Sequence, residues 1–312
     1  MNAPSLPLRD GSMAVSSLID LYMANYAGRD GAVVQRLAWW RERIGQRRLD
    51  ELSDDDLHVE LEKLAERPSR FYAGKDADGQ AIFKAKRQKL AGSTLNRYAS
   101  AIAAVPTWAI RRRIAPKGFD HPVRRLQYRA ENPGETRFLS DEERTRLLKA
   151  CEASGWPRLY LLVLLALTTG ARKGELLGMR WKDVDIARCV VHVGRSKNGD
   201  SKVLPLVAAA VERLKAFEGP PGALVFPSRL QPTKPMAFEE RWRQALKAAG
   251  VKAFRFHDLR HSCASFLAQS GASLLEIADL LGHRQISMTQ RYSHLAAGHR
   301  SALVNRVMGE LR

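Results

Sequence analysis

The sequence predicts a mainly helical protein with a small antiparallel β-sheet, divided into an all-helical first domain and a mixed α/β second domain. Three observations predict it. Apolar residues recur at helical spacing through most of the chain. Two short β-like runs, Cys189 to Val193 and Lys202 to Leu206, flank a polar turn. A basic stretch punctuated by prolines divides 312 residues into two parts, each long enough to bury a core.

Residues 1–15 are expected to form a flexible leader. Met1 to Gly11 contains Pro4 and Pro7 and lacks the basic and apolar regions of a signal peptide. The helical domain is assigned to residues 16–115. Leu18, Leu21 and Tyr22 mark its first helix, and Val33, Val34, Leu37, Trp40 and Ile44 its second. Leu52 to Asp56 supplies N-cap candidates before Leu57, Leu61 and Leu64, a third helix that should stop near Pro68. Residues 68–92 contain Gly74, Gly79 and a basic run from Lys84 to Lys89; with little apolar periodicity, they read as a long surface loop with a short ordered piece, whose basic end can touch phosphate. Ser93 and Thr94 then cap a helix through Leu95, Tyr98, Ile102 and Val105, interrupted or kinked at Pro106 and continuing through Trp108 and Ile110.

Residues 116–136 are read as a basic interdomain linker in which Pro116, Pro122 and Pro133 block regular structure. The second domain, residues 137–312, opens on a capping-box pattern, Ser140 with Glu143, before Leu147 and Leu148. Leu159 to Leu167 is an apolar run too short to cross a bilayer and reads as a buried helix. The β-like runs follow, joined by Ser196 to Asp200, and helical patterns occupy residues 208–217, 238–249 and much of the chain after Leu259.

The charge is the strongest compositional signal. Lys and Arg number 51 against 33 Asp and Glu, a formal charge of +18, which calls for a polyanionic partner. No membrane anchor or membrane-spanning run accompanies it, so nucleic acid is preferred to a lipid surface and a cytoplasmic location is expected. Three scattered cysteines, Cys151, Cys189 and Cys263, form no Cys-x-x-Cys pair or disulfide framework and are expected to be reduced and mostly buried.

Five short stretches of the second domain concentrate chemistry: Thr169 to Leu177, Ser196 to Gly199, His257 to His261, Leu281 to His283, and Gln290 to His294. Arg172 and Arg260 are permanently charged, fork-shaped donors suited to clamping a phosphate. With a nucleophile and a proton donor nearby, they make a set able to transfer a phosphoryl group. His257 and His261 are spaced to share a helix face with a metal, but the fixed ligand set of a zinc site is absent, and no metal or other cofactor is expected.

In order, these stretches resemble the signature of the tyrosine recombinase, or phage integrase, family: Arg172 with Glu175, a hairpin Lys197, His257-x-x-Arg260, Gly282-His283, then Tyr292. The resemblance covers the chain from about Phe138 onward, and more weakly the helical domain and linker. It implies a core-binding first domain, a catalytic second domain of the DNA breaking-rejoining type, and site-specific recombination through a 3′-phosphotyrosyl intermediate without metal or ATP. It also implies roles: Arg172, Arg260 and His283 on the phosphate, Lys197 as general acid, His257 orienting or deprotonating the tyrosine, and Tyr292 as nucleophile. Glu175 is read as a carboxylate that fixes the arginine or a neighbouring histidine. His261 and His294 are read as helix-surface or supporting residues.

The expected partner is a double-stranded recombination site, bound by a homotetramer at synapsis and by a monomer when free, with the protein nucleoid-associated on DNA. Arg97, Arg111, Arg112, Arg113, Arg124, Arg125 and Lys173 are DNA-contact candidates, although charged runs are often merely solvated. The family implies a C-terminal helix that docks on a neighbour, for which Leu295 to Leu311 is the candidate. The short leader leaves little room for an arm-binding domain. Two alternatives stay open: a type IB-like topoisomerase, which resembles a Lys-x-x-Arg pattern where this chain has His257 and Arg260, and a non-catalytic DNA-binding regulator.

Overall fold

The computed structural model describes residues 12–28, 30–76, 78–131, 137–194, 201–296 and 304–309. It divides into two compact units, Met1–Gly134 and Glu135–Arg312, in a helix-rich fold with small antiparallel sheets.

In the first unit, α1 (Val15–Ala24), α2 (Ala32–Ile44), α3 (Asp54–Ala65) and α4 (Gly92–Arg111) turn their apolar stripes onto one core that includes Leu18, Leu37, Trp40, Leu57 and Ile102. Local chemistry starts α3: the Asp56 amide donates to the Ser53 hydroxyl at 3.2 Å, and the Asp56 carboxylate accepts from the Ser53 amide at 3.1 Å. Asp54, Asp55 and Asp56 add negative charge where the helix dipole favours it. Helix α4 departs from the expected pattern at both marked points. Its N-cap is Ala91, without a side-chain cap, so Ser93 and Thr94 lie inside the first turn. Pro106 does not interrupt it: Val105, Pro106 and Ala109 are all buried, and packing of that face holds the helix through the missing N–H.

The reading of residues 68–92 as a loop, and with it the all-helical first domain, is corrected. Strands β1 (Pro68–Lys75) and β2 (Ala81–Lys89) pair antiparallel, with Phe71 opposite Lys84 and Arg70 opposite Ala85. The turn is an Asp76 clasp: its carboxylate accepts from the amides of Asp78 at 3.1 Å and Gln80 at 2.7 Å. Every residue of β2 is exposed, so there is no apolar face to announce the strand. Downstream, Val123 and Leu126 are buried in the unit's core, and Asn96 grips the Arg129 backbone through both its amide atoms at 2.9 Å.

The second unit is built around α6 (Leu159–Thr169), nine of whose eleven residues are buried. A helix apolar on all sides belongs in the middle, and α5 (Asp141–Glu152), α8 (Ala208–Lys215) and α10 (Asp258–Gln269) pack around it. The Ser140–Glu143 capping box starts α5. Short α7 (Lys173–Leu177) leads to a sheet of three antiparallel strands in the order β3 (Val184–Asp185), β4 (Val190–Val193), β5 (Lys202–Pro205), one strand more than the sequence announces. The β4–β5 turn, including Lys197, lies outside the described residues. Helices α9 (Glu239–Ala249) and α11 (Leu274–Leu281) complete the unit with short 3-10 segments at Ile286–Met288 and Gln290–Ala296. Of the expected C-terminal helix, residues 295–296 and 304–309 are described; 304–308 are α-helical and 295–296 end the last 3-10 segment. Cys151 and Cys263 are buried, whereas Cys189 is exposed rather than buried. Among the described residues no helix is long and apolar enough to cross a membrane.

Candidate active site

The site begins where α6 stops. Gly170 ends that helix in the left-handed region, φ 60°, and a Cβ added there would meet Leu281 Cδ2 at 2.2 Å. Only glycine turns the chain here. Its carbonyl accepts a 2.7 Å hydrogen bond from Arg260 Nη1, and two residues later Arg172 enters α7 at its N-cap.

Glu175 fixes Arg172 from below. One carboxylate oxygen accepts from Arg172 Nη1 at 2.8 Å, and the other accepts from the Arg172 amide at 2.9 Å while pairing with Lys202 Nζ at 2.8 Å. Burial opposes the charge of Glu175, but the Lys202 ammonium and the Arg172 bonds outweigh it and hold the carboxyl below its usual range. Lys202 is itself only 12% exposed at its side chain, and burial, with Arg260 and Arg172 nearby, pulls its ammonium below the ordinary lysine range. Arg260 is 4% exposed; burial and the Arg172 charge bring its guanidinium down to about 10, so it stays charged at neutral pH.

Helix α10 supplies Arg260 with His257 at its N-cap and His261 one residue on from the arginine. His257 is exposed, and its ring centroid lies 5.4 Å from that of His261 in an edge-on arrangement. Burial, then the Arg260 charge, lowers the His257 pKa. Burial, then His257, brings His261 down to about 4, so its imidazole is neutral at neutral pH.

Tyr292 sits in the last 3-10 segment, 1% exposed, against Ala264, Ala268, Ile277 and Leu281. Its hydroxyl lies 2.5 Å from Nδ1 of His261. A neutral ring accepts there and the phenol donates. Burial raises the Tyr292 pKa against the lowering pull of Arg291 and Arg260. His283 follows Gly282, the left-handed end of α11, and its Nδ1 lies 2.7 Å from the Thr289 hydroxyl. Burial, then Arg260 and Arg172, brings its imidazole down to about 4.

Arg172, Glu175, His257, Arg260, His283 and Tyr292 therefore gather in one unit, while Lys197 lies outside the described residues. The partner of the Tyr292 hydroxyl is His261, which the sequence reading places among helix-surface or supporting residues. Sequence reading also missed Lys202, which stood inside a β-like run. The one available signal for His261 was its place a helical turn beyond His257. Among the DNA-contact candidates, Arg97, Arg111, Arg112, Arg113 and Arg124 are exposed, without a carboxylate partner within 4 Å among the described residues. Arg125 pairs with Asp120 at 2.7 Å, and Lys173 with Glu239 at 3.2 Å.

Residues 137–299 match the phage integrase family. The chain is 34% identical over 177 residues to the integrase of Salmonella phage P22, covering 52% of this chain and 45% of that protein. It is 30% identical over 221 residues to tyrosine recombinase XerC of Xanthomonas campestris pv. campestris (strain B100), covering 68% of this chain and 67% of that one. The match spans about half the length of the first of these curated relatives. Among solved structures, the Tn1549 transposon integrase in complex with a circular intermediate DNA is similar with a TM-score of 0.68 at 17% identity, over 94% of this chain and 100% of that one. A lambda integrase tetramer bound to a Holliday junction is similar with a TM-score of 0.63 at 19% identity, over 93% of this chain and 80% of that one. At those identities the likeness concerns the fold.

Proposed function

The chain belongs to the phage integrase family, and on that premise we propose that it is a site-specific DNA recombinase that cleaves and rejoins strands through a 3′-phosphotyrosyl link to Tyr292. The observation that supports it best is geometric: Arg260 donates to the Gly170 carbonyl, two residues before Arg172, and its neighbour on α10, His261, meets the Tyr292 hydroxyl at 2.5 Å.

In this reading Arg172 and Arg260 hold the non-bridging oxygens, and Glu175 keeps Arg172 aimed. With Thr289 donating to Nδ1, the neutral His283 ring carries its proton on Nε2 and offers it to the same phosphate. His261 holds the resting tyrosine: a phenol that is 1% exposed and protonated cannot meet a phosphodiester. DNA binding draws the 3-10 segment outward, and exposed His257 takes the phenol proton. The phenolate oxygen then bonds to phosphorus as the bond to the 5′ oxygen breaks, and Lys197 protonates that oxygen. One phosphoester replaces another, so the reverse attack by a 5′ hydroxyl rejoins a strand without ATP. Side-chain cations carry the transition-state charge, which is the work a metal would do.

The partner is duplex DNA, the synaptic assembly a tetramer of chains that are monomers when free, and the location the cytoplasm, on the nucleoid when bound. The lambda integrase tetramer on a Holliday junction supports the assembly by likeness of fold. The test is a nicked duplex containing a candidate attachment site. The unaltered protein should be trapped covalently on it, and Tyr292→Phe should shift the DNA on a gel while forming no covalent complex. Trapping by the Phe variant removes Tyr292 from the reaction.

A further inference from the structure

The β1–β2 hairpin has no evident structural reason to exist. Every residue of β2 is exposed, and Phe71, Ile82 and Phe83 are 44%, 38% and 58% exposed, so the ribbon adds little to the core of its own unit. A two-stranded hairpin without a covered face is marginal in water. Its composition is one-sided: the eight residues of β1 and nine of β2 include six lysines and arginines and no aspartate or glutamate. A chain with 33 acidic residues would ordinarily intersperse some on an exposed surface.

The pleat distributes this charge on both faces. In the regular pairing Lys84, opposite Phe71, takes one side and Arg70, opposite Ala85, the other, while Lys86 and Arg87 lie where the register shifts between the Ala85 and Lys89 pairings. Lys89 pairs with Glu66 at 2.5 Å, whereas Arg70, Lys84, Lys86 and Arg87 have no carboxylate within 4 Å among the described residues. A ribbon destined for a protein groove would keep one face apolar. One with cations on both faces suits a channel walled by anions on either side. The major groove of duplex DNA, about 12 Å wide, is such a channel and admits a two-stranded ribbon.

Resting on the DNA reading above, we infer that the β1–β2 hairpin is a DNA-contact ribbon of the first unit, lying in a major groove with Arg70, Lys84, Lys86 and Arg87 on the flanking phosphates. This makes the hairpin an affinity and register device separate from the chemistry of the second unit. Each phosphate contact releases counterions, so the ribbon should register in the salt dependence of binding.

The test compares the full chain with the triple variant Lys84→Gln, Lys86→Gln, Arg87→Gln on a 40-base-pair duplex, over a range of sodium chloride concentrations. These side chains are exposed and outside any ion pair described, so thermal unfolding should be unchanged. The slope of log affinity against log salt should flatten by about 2 to 3 in the variant, roughly one per cation removed. An unchanged slope with the unaltered chain binding normally overturns the ribbon proposal while leaving the recombinase reading intact. Failure of the unaltered chain to bind duplex at any salt overturns the recombinase reading instead. Loss of binding to vesicles of anionic phospholipid, or of self-association, with the DNA slope unchanged, also overturns the ribbon proposal and assigns the hairpin to that other partner.

Discussion

The Tyr292 hydroxyl lies 2.5 Å from Nδ1 of His261; where the Gln290–Ala296 segment packs on α10 the tyrosine is buried and the histidine half-buried. A raised phenol pKa and a depressed imidazole pKa describe a neutral pair, with the proton on oxygen and the nitrogen accepting it. Neither partner is poised for chemistry in this arrangement. In the reaction proposed above it is the resting contact that DNA would have to break.

If so, His261→Ala loosens the tyrosine without abolishing the reaction. Nitration of Tyr292 by tetranitromethane, followed by peptide mapping, should speed up several-fold, and covalent trapping should stay within about tenfold of the unaltered rate. His257→Ala, which removes the exposed proton acceptor, should slow trapping by about a hundredfold or more. The reverse ranking makes His261 the base.

The clamp predicts a different pattern. Arg172→Ala and Arg260→Ala should each reduce trapping by about a hundred- to a thousandfold, measured well below the unfolding temperature, while chelator leaves trapping intact. Arg260→Ala should also destabilise the unit by about 1–3 kcal/mol, because it leaves the buried Gly170 carbonyl without its donor. A strict metal requirement contradicts a clamp made of side chains.

Gly170→Ala should cost about 2 kcal/mol or more in urea unfolding, since the new methyl meets Leu281 and φ stays at 60°. Ser140→Ala removes the cap of α5 and should cost about 1 kcal/mol. Equal costs would mean that the Gly170 turn relaxes freely.

The histidines set a pH dependence with a definite sign. His261 and His283 have native pKa values of about 4 against an ordinary 6.5, so between those limits the unfolded chain binds protons that the native protein does not. Their contribution is complete above pH 6.5 and is lost as the pH falls toward 4. The melting temperature should therefore drop between pH 6.5 and 5, and the drop should shrink in His261→Asn/His283→Asn. A drop of the same size in the double variant would place its origin elsewhere.

Much of the fold was legible because its cues are local. Ser53 and Ser140 announce α3 and α5 through hydroxyls three residues from a carboxylate, and an unbroken apolar run announces the buried α6. The β1–β2 hairpin was not legible, since a strand exposed on all sides has no burial alternation to read. In the site, Arg172 and Glu175 stand three residues apart, and their contact follows from the start of one helix.

The amino-acid sequence by itself determined the starts of α3 and α5, the buried central helix and the ordered set of Arg172, His257, Arg260, His283 and Tyr292, because each depends on side-chain type at short spacing. Tertiary structure alone decided which histidine meets the tyrosine and which lysine lies beside Glu175. His257 and His261 are equivalent by spacing, and only the packing of Gln290–Ala296 against α10 selects His261. Lys202 reaches Glu175 across 27 residues because β5 returns antiparallel to β4, a relation set by strand pairing and not by any local pattern.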